Sequence, residues 1–241
     1  MHDPLKLAGA NAALCAMPGL REAAKIASTY AEASAKLMLE SDRVLLSLTK
    51  AMKRAERLGT FGWTIPMNIT PEGIVWLLGE ATTAGAADKA FETLYFSDGN
   101  RGLSHLKDLL VSDDRLKRYR PLLEEISKTL DAKYYRICVP ALFSLVDGIA
   151  YHKWTRKFYE ADGRRKFFEQ KLGGMPKESL GYYMWSSIRA FVNTVFEKAK
   201  STKPLIVNRH WIMHGRDIHD GNPMDCLRLL IAISTFATFV A

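Results

Sequence analysis

Apolar residues along this chain recur mainly at intervals of three and four, and few residues interrupt these stretches. The 241 residues include only 16 glycines and nine prolines. Alternation of apolar and polar residues, the mark of a half-buried strand, is hard to find. An interval of three or four places side chains on one face of a helix. The pattern therefore predicts an all-α protein, a helical bundle with an N-terminal helical extension.

The expected organisation has three parts. Residues 1–58 form the N-terminal helical extension, residues 59–100 form a loop and short helices that lead into the core, and residues 101–241 form the helical bundle. In the extension, the spacing of apolar residues places Leu45 and its neighbours Val44, Leu48 and Met52 on the inner face of a helix.

Three local signals fix helix boundaries. Thr70 and Asn222 each precede a proline, and this is typical of an N-cap followed by proline in the first turn. The sequence Asp98-Gly99-Asn100 predicts a break in a helix. Together with the spacing of apolar residues, these signals predict helices at residues 20–39, 42–58, 71–79, 84–96, two within 101–131 that are split near residues 112–114, and others at 133–152, 177–199 and from 223 to the C-terminus.

Charge and cysteine content limit the classes of partner and compartment. The formal net charge of +8 allows a polyanion as partner. Cys15, Cys138 and Cys226 are odd in number and far apart, so neither a disulfide framework nor a thiolate zinc site is expected, and a reducing cytoplasm fits best. The longest uncharged run, residues 229–241, is shorter than the ~20 residues that span a bilayer, so no membrane association is expected.

Asp147 lies on the most apolar predicted helix, and it is the only ionisable side chain in the sequence from Pro140 to Ala150. A carboxylate in such surroundings is costly unless it is paired. Two explanations stay open for it: a local salt bridge or cap, or a role in an active site.

Cationic and aromatic side chains are mixed through residues 153–171. In one interpretation, the rings stack on bases and the cations hold phosphates of RNA. In the other, which we favour, the segment is an amphipathic helix with its rings in the core and its charges in solvent. The residues predicted to contact RNA are Lys153, Arg156, Lys157 and, further along the chain, Arg216.

The segment 207–221 holds three of the six histidines. His210 and His214 are four residues apart, so they share a helix face and could bind a zinc ion, with His219 as third ligand. However, no glutamate follows His210 as in HExxH, no cysteine is nearby, and two arginines in the segment would repel the cation. We therefore expect no metal.

An acid–base role suits this segment better. A histidine can accept a proton from a hydroxyl near neutral pH, and an arginine can hold a phosphate through its fork of N–H donors. In RNA the 2′-OH is an internal nucleophile. His214 as base or acid and Arg209 as phosphate clamp would therefore be sufficient. They are about 140° apart around a helix, so a cleft around the helix start, or two copies meeting in a dimer, would be needed to combine them.

Arg209 and His214 form an R-x4-H pattern, with the polar His210 directly after the arginine. It resembles the R-x4-6-H motif of HEPN domains, an all-helical family found in prokaryotic toxins and defence ribonucleases. The longer pattern N-R-H-x-I-x-H-G, a short loop and N-P-x-x-x-L-R-L-L is also similar to bacterial HEPN-like proteins, as is an acidic residue, here Asp147, on an earlier buried helix. The resemblance covers about residues 100–240.

The resemblance implies a HEPN-like bundle that acts as a metal-independent endoribonuclease, needs no cofactor and leaves a 2′,3′-cyclic phosphate. It implies a homodimer with two motifs facing each other over RNA, and a cytoplasmic toxin–antitoxin or phage-defence setting with an antitoxin or other regulator. The residues that carry over are Arg209 and His214, then His210 in the polar position, and Asn208 and Asp147.

Two other interpretations stay open. Some members of the family are inactive and serve as RNA-binding or dimerising modules. Alternatively, the chain is a purely structural helical protein in which Asp147 and Arg209 are a buried pair and His214 is a core histidine. In the catalytic interpretation, we expect Asp147 to approach Arg209 and orient its guanidinium, and residues 208–216 to lie near the dimer interface.

Overall fold

The computed structural model describes residues 18–197, 202–217 and 221–239, with side chains from residue 25 onward. Within these ranges every regular element is a helix and no strand occurs. The predicted all-α class is therefore confirmed. The chain divides after Leu46 into two compact units, which are described separately below. None of the described helices is both long and apolar enough to cross a bilayer.

The first unit contains most of helix α1, which runs continuously over Pro18–Met52. The two helices expected here are one, because Glu40 and Ser41 offer no glycine or proline to break the helix. Leu45 was expected on the inner face, but its side chain is 51% exposed. Apolar periodicity identifies the apolar face of a helix but does not say whether another element covers that face, and so this expectation was wrong.

The second unit contains the other helices, and its local boundaries follow the sequence signals. Thr70 and Asn222 cap their helices through side-chain oxygens that accept from the N–H groups of Gly73 and Met224. The predicted break appears as positive φ angles at residues 98–100. The elements are α2 (Ala55–Thr60), α3 (Pro71–Glu80), α4 (Ala84–Ser112), a 3-10 helix (Asp114–Tyr119), α5 (Arg120–Asp131), α6 (Tyr135–Lys153), α7 (Ala161–Gly173), α8 (Leu180–Val195), α9 (Arg209–Met213) and α10 (Pro223–Thr238).

The core of this unit forms where α6 and α10 pack side by side, with α2 lying against α8. Helix α10 is buried along almost its whole length, as expected for the uncharged C-terminal run. An aromatic cluster fills the space between α6, α7, α8 and α10. Trp154 lies at its centre, with ring centroids 4.2 Å from Phe236 and 5.3 Å from Trp185.

A buried ionic network, which the sequence analysis did not identify, connects α10 to α4. Arg228 is 5% exposed; it donates to Asp225 at 2.6 Å and to Asp88, and its guanidinium lies 4.7 Å from the centre of the Trp63 ring. The indole N–H of Trp63 donates to the same Asp88 carboxylate at 2.8 Å. This network anchors the extended segment after α2 to the terminal helix.

Candidate functional site

Asn208 positions the short helix α9. Its Oδ1 accepts hydrogen bonds from the backbone N–H groups of His210 at 3.0 Å and Trp211 at 3.3 Å. Its Nδ2 donates to the carbonyl of Glu197 at 3.2 Å. Asn208 is 4% exposed. It is therefore an N-cap that fixes where α9 begins, and it acts on the candidate site by orienting the next residue, Arg209.

Arg209, the first residue of α9, reaches Asp147 on α6. Its Nε donates to Oδ2 of the carboxylate at 2.8 Å. Its Nη2 lies 2.7 Å from the same oxygen, as an ion-pair contact. The side chains of Arg209 and Asp147 are 18% and 8% exposed, respectively. The contact expected from the sequence is therefore present. The pair is largely shielded from water, and the charge-assisted hydrogen bond together with the ion-pair contact orients the guanidinium.

The ion pair does not fully compensate the burial of Asp147. Its other oxygen, Oδ1, is buried and has no hydrogen-bond partner within the described residues. Burial raises the pKa of Asp147, and this effect outweighs the opposing hydrogen bond from Arg209 and the charges of Arg209 and Arg164. The ionised carboxylate is therefore held in position at an energetic cost.

Arg164 brings a second guanidinium to the same place. Its Nη1 donates to the carbonyls of Phe158 and Tyr159, at 2.9 and 3.1 Å. Burial and the charge of Arg209 lower the pKa of Arg164, while the charge of Asp147 partly opposes them. Asp147 is paired with Arg209 and acts on Arg164 only through its charge. One carboxylate and two guanidinium groups thus leave the cluster with a net positive charge that suits an anionic ligand.

Tyr159 forms the exposed edge of this cluster. Its ring lies 5.4 Å from the Arg209 guanidinium and 5.9 Å from the ring of Tyr151, and it is 49% exposed. Burial and the nearby charge of Asp147 raise the pKa of Tyr159. The phenol therefore stays protonated near neutral pH and can act as a hydrogen-bond donor beside the cations.

The two histidines lie at the other end of α9. His214 follows the last helical residue and is exposed, and its ring stacks on that of His210 with centroids 5.7 Å apart. Gly215 ends the helix with φ +67°, a conformation that glycine adopts readily at the C-terminus of a helix. Arg209 and His214 do not touch in the described part of the chain. A single chain thus presents the arginine and the histidine as two separate groups.

The four residues predicted to contact RNA are all exposed. Lys153 ends α6, Arg156 and Lys157 lie in the turn after it, and Arg216 follows α9. Most rings of the segment 153–171 face the core, as in the interpretation that the sequence favoured, because Phe158 and Phe168 are at most 1% exposed. Tyr159 is the exception, because its ring is exposed. The segment therefore offers no continuous row of exposed rings on which RNA bases could stack.

Sequence reasoning placed Arg164 and Tyr159 in a basic and aromatic stretch but gave them no role in the site. Both are far from Arg209 in sequence, and the turn after α6 brings them to it. Neither residue belongs to a local motif, so spacing offered no signal for this contact. His219, considered as a metal ligand, lies outside the described residues; among the described residues, no group of three acidic, histidine or cysteine side chains could hold a metal ion.

Comparison with known proteins finds no family model, no curated protein and no solved structure that matches this chain. The resemblance to HEPN domains therefore depends on the sequence pattern around Arg209 and His214.

Proposed function

We propose that this chain is an endoribonuclease that cleaves RNA through attack of the 2′-OH on the adjacent phosphate and needs no metal ion. The observation that carries the proposal is the arrangement around α9. Asp147 fixes the guanidinium of Arg209 at the start of the helix, and exposed His214 stands at its end. Such a reaction requires a cation that binds the phosphate, here Arg209, and a group that transfers protons, here His214.

In the proposed reaction, His214 accepts the proton of the 2′-OH as the oxygen attacks phosphorus. The new O2′–P bond forms while the P–O5′ bond breaks, which leaves a 2′,3′-cyclic phosphate and a 5′-hydroxyl. The 5′-oxygen leaves with a proton from a second acid, the equivalent histidine of another copy. Arg209 binds the phosphate through the N–H donors that Asp147 does not use, and Arg164 adds positive charge beside it.

A homodimer is part of this proposal, because Arg209 and His214 do not touch within one chain. A two-fold axis near residues 208–216 would bring the arginine of one copy towards the histidine of the other. The setting that we propose is a toxin or phage-defence system, with RNA as substrate and an antitoxin or other protein as regulator.

A second candidate function is RNA binding without cleavage, by a HEPN-like module. Two observations favour it. The guanidinium of Arg209 is already paired with Asp147, and the side chains of Lys153, Arg156 and Lys157 are exposed. In that case, the cationic surface binds the RNA backbone and α9 serves assembly only.

Incubation of a labelled RNA with purified protein and its variants, followed by electrophoresis, separates the two functions. His214→Ala should reduce the cleavage rate by about 10²–10⁴, the usual effect of losing a positioned acid–base group. Arg209→Lys should also lose RNA cleavage, because the point charge of lysine cannot replace the planar set of N–H donors with which arginine binds a phosphate. His105→Ala, an exposed histidine on α4, is the matched control and should cleave at the wild-type rate. Retained RNA binding with no cleavage by the wild type would favour the second function.

A further inference from the structure

A cavity of about 380 Å³ opens between α4, the turn after α5 and the start of α10. Its volume lies near the lower end of the range of about 300–1,000 Å³ that is usual for small-molecule sites. The cavity reaches Tyr135 at the start of α6, whereas Asp147 lies more than three turns further along the same helix. At about 1.5 Å per residue, the cavity is about 18 Å along α6 from the candidate site.

The walls of this cavity combine apolar surface with charge. The apolar part consists of Phe96, Leu103, Leu130, Tyr135 and Pro223. The charged part consists of Lys107, Asp131 and Lys133. We call the space that these residues enclose the α4–α5 cavity. Two lysines and one aspartate leave its walls with a net positive charge, and this suits an anion.

Lys107 is buried although it carries a charge, and it is only 9% exposed. Its ammonium group donates to the carboxylate of Asp131, whose side chain is 68% exposed. Lysines are seldom buried unless they are paired, so the contact with Asp131 explains how the buried charge is tolerated. Because an ammonium group has three N–H donors, Lys107 can donate to a bound anion while it keeps this pair.

Unusual backbone conformations are concentrated around the same cavity. Among the described residues, the non-glycine residues with positive φ are Asp98, Asn100 and Lys133. Asn100 and Lys133 line the α4–α5 cavity, and Asp98 precedes Gly99, which also lines it. Such conformations cost free energy and are found preferentially at functional sites. Their clustering at one cavity therefore favours a binding site there.

Lys133 gives the clearest indication of what binds. It follows α5 with φ +60°. Its N–H donates to the carbonyl of Leu130 at 2.9 Å, and the next N–H donates to that of Thr129 at 3.0 Å. This is a Schellman end of a helix, at which glycine is the usual residue and asparagine also occurs. Lysine is less favourable than glycine at positive φ, so the helix end does not explain why this position carries a cation.

We propose that the α4–α5 cavity binds a small organic anion. The acidic group of the ligand contacts the ammonium groups of Lys107 and Lys133, and its carbon skeleton packs on the apolar part of the walls. The acidic group is a carboxylate or a phosphate ester, since both accept charge-assisted hydrogen bonds from ammonium groups. The proposal does not depend on the ribonuclease activity, because these residues lie outside the site around α9.

Isothermal titration calorimetry of the full chain at neutral pH tests the class of ligand. The probes are naphthoate and naphthyl phosphate, which both carry a ring and an acidic group, and the better of them should bind with a Kd of about 1 mM or less. Naphthol has the ring without the charge and inorganic phosphate has the charge without the ring, so each should bind at least about ten-fold more weakly. The better probe identifies the acidic group as a carboxylate or a phosphate. Equal binding of naphthol or of inorganic phosphate, or no saturable binding of either probe, would overturn the proposal.

Lys133→Asn locates the binding site and should still fold, because asparagine adopts positive φ more readily than lysine. The variant should keep or raise the melting temperature but weaken binding of the better probe at least about ten-fold, since a charge-assisted hydrogen bond is lost. Lys128→Asn is the matched control, because Lys128 is exposed on α5 and does not line the cavity; it should change the Kd by less than about two-fold. Wild-type binding by Lys133→Asn, or loss of binding by a folded Arg209→Lys chain, would overturn the proposal.

Discussion

Replacing Asp147 with alanine should destabilise the fold, because it removes the carboxylate that pairs with Arg209 and whose charge also acts on Arg164. Arg209 would lose the hydrogen bond of 2.8 Å from its Nε and the ion-pair contact of 2.7 Å at its Nη2. Arg164, whose pKa is already lowered by burial and by the charge of Arg209, would lose the carboxylate that opposes that effect. The variant thus leaves two half-buried cations close together without compensation.

The expected loss in the free energy of unfolding is about 2–3 kcal/mol. Removing one partner of a buried pair typically costs about 3–5 kcal/mol. Two features of the structure reduce this figure. Arg209 is 18% exposed and keeps some hydration, and the raised pKa of Asp147 shows that its ionised form already carries a burial penalty that alanine removes.

Urea denaturation at pH 7, followed by far-ultraviolet circular dichroism, measures this loss. Asp162→Ala is the matched control, since Asp162 pairs with Arg165 on the surface with 81% and 59% exposure, and it should cost less than about 1 kcal/mol. In the double variant with Arg209→Ala, the losses should not add, because the second change removes the unpaired cation. A wild-type midpoint for Asp147→Ala, or full additivity in the double variant, would refute the reasoning.

Three further outcomes are expected. Asn208→Ala should cost about 2 kcal/mol in a thermal melt, against about 1 kcal/mol for Asn222→Ala, because Asn208 is a buried cap that also satisfies the Glu197 carbonyl. Gly59→Ala should cost about 1–3 kcal/mol in urea, since its Cβ would overlap the Ser187 carbonyl oxygen; Gly79→Ala, with open space around it, is the control. Because the pKa of Asp147 is raised in the folded state, protonation of this carboxyl group stabilises the fold. This contribution to the free energy of unfolding is complete below the ordinary carboxyl pKa near 4 and is lost as the pH rises through the raised pKa. Wild type should therefore lose stability relative to Asp147→Asn as the pH rises above about 4; a constant difference would contradict this.

Much of the fold was accessible from the sequence because its signals are local. The N-caps at Thr70 and Asn222, the break at residues 98–100 and the end of α9 at Gly215 each depend on a few neighbouring residues. The contact between Asp147 and Arg209 is long-range. A carboxylate on an apolar helix is costly unless it is paired, which indicated that Asp147 has a partner, and the resemblance to HEPN domains put Arg209 in the same site.

The remainder depends on packing that no local pattern encodes. The exposure of Leu45 could not be seen, because a periodic stripe looks the same whether or not it is covered. Arg164 and Tyr159 join the site only because the turn after α6 folds back towards α9. The network of Arg228 with Asp88 joins two helices far apart in sequence, and neither residue is unusual in its local surroundings.

Attack by the 2′-OH without a metal ion is tested by cleavage of a short RNA in the presence of a chelator, compared with the same RNA carrying one 2′-deoxy sugar at the scissile position. We expect the all-ribose strand to be cut without added metal to a 2′,3′-cyclic phosphate and a 5′-hydroxyl. The deoxy strand should resist at that position, because the nucleophile is absent. Cleavage of the deoxy strand, or cleavage of the RNA only after magnesium is added, would contradict the account.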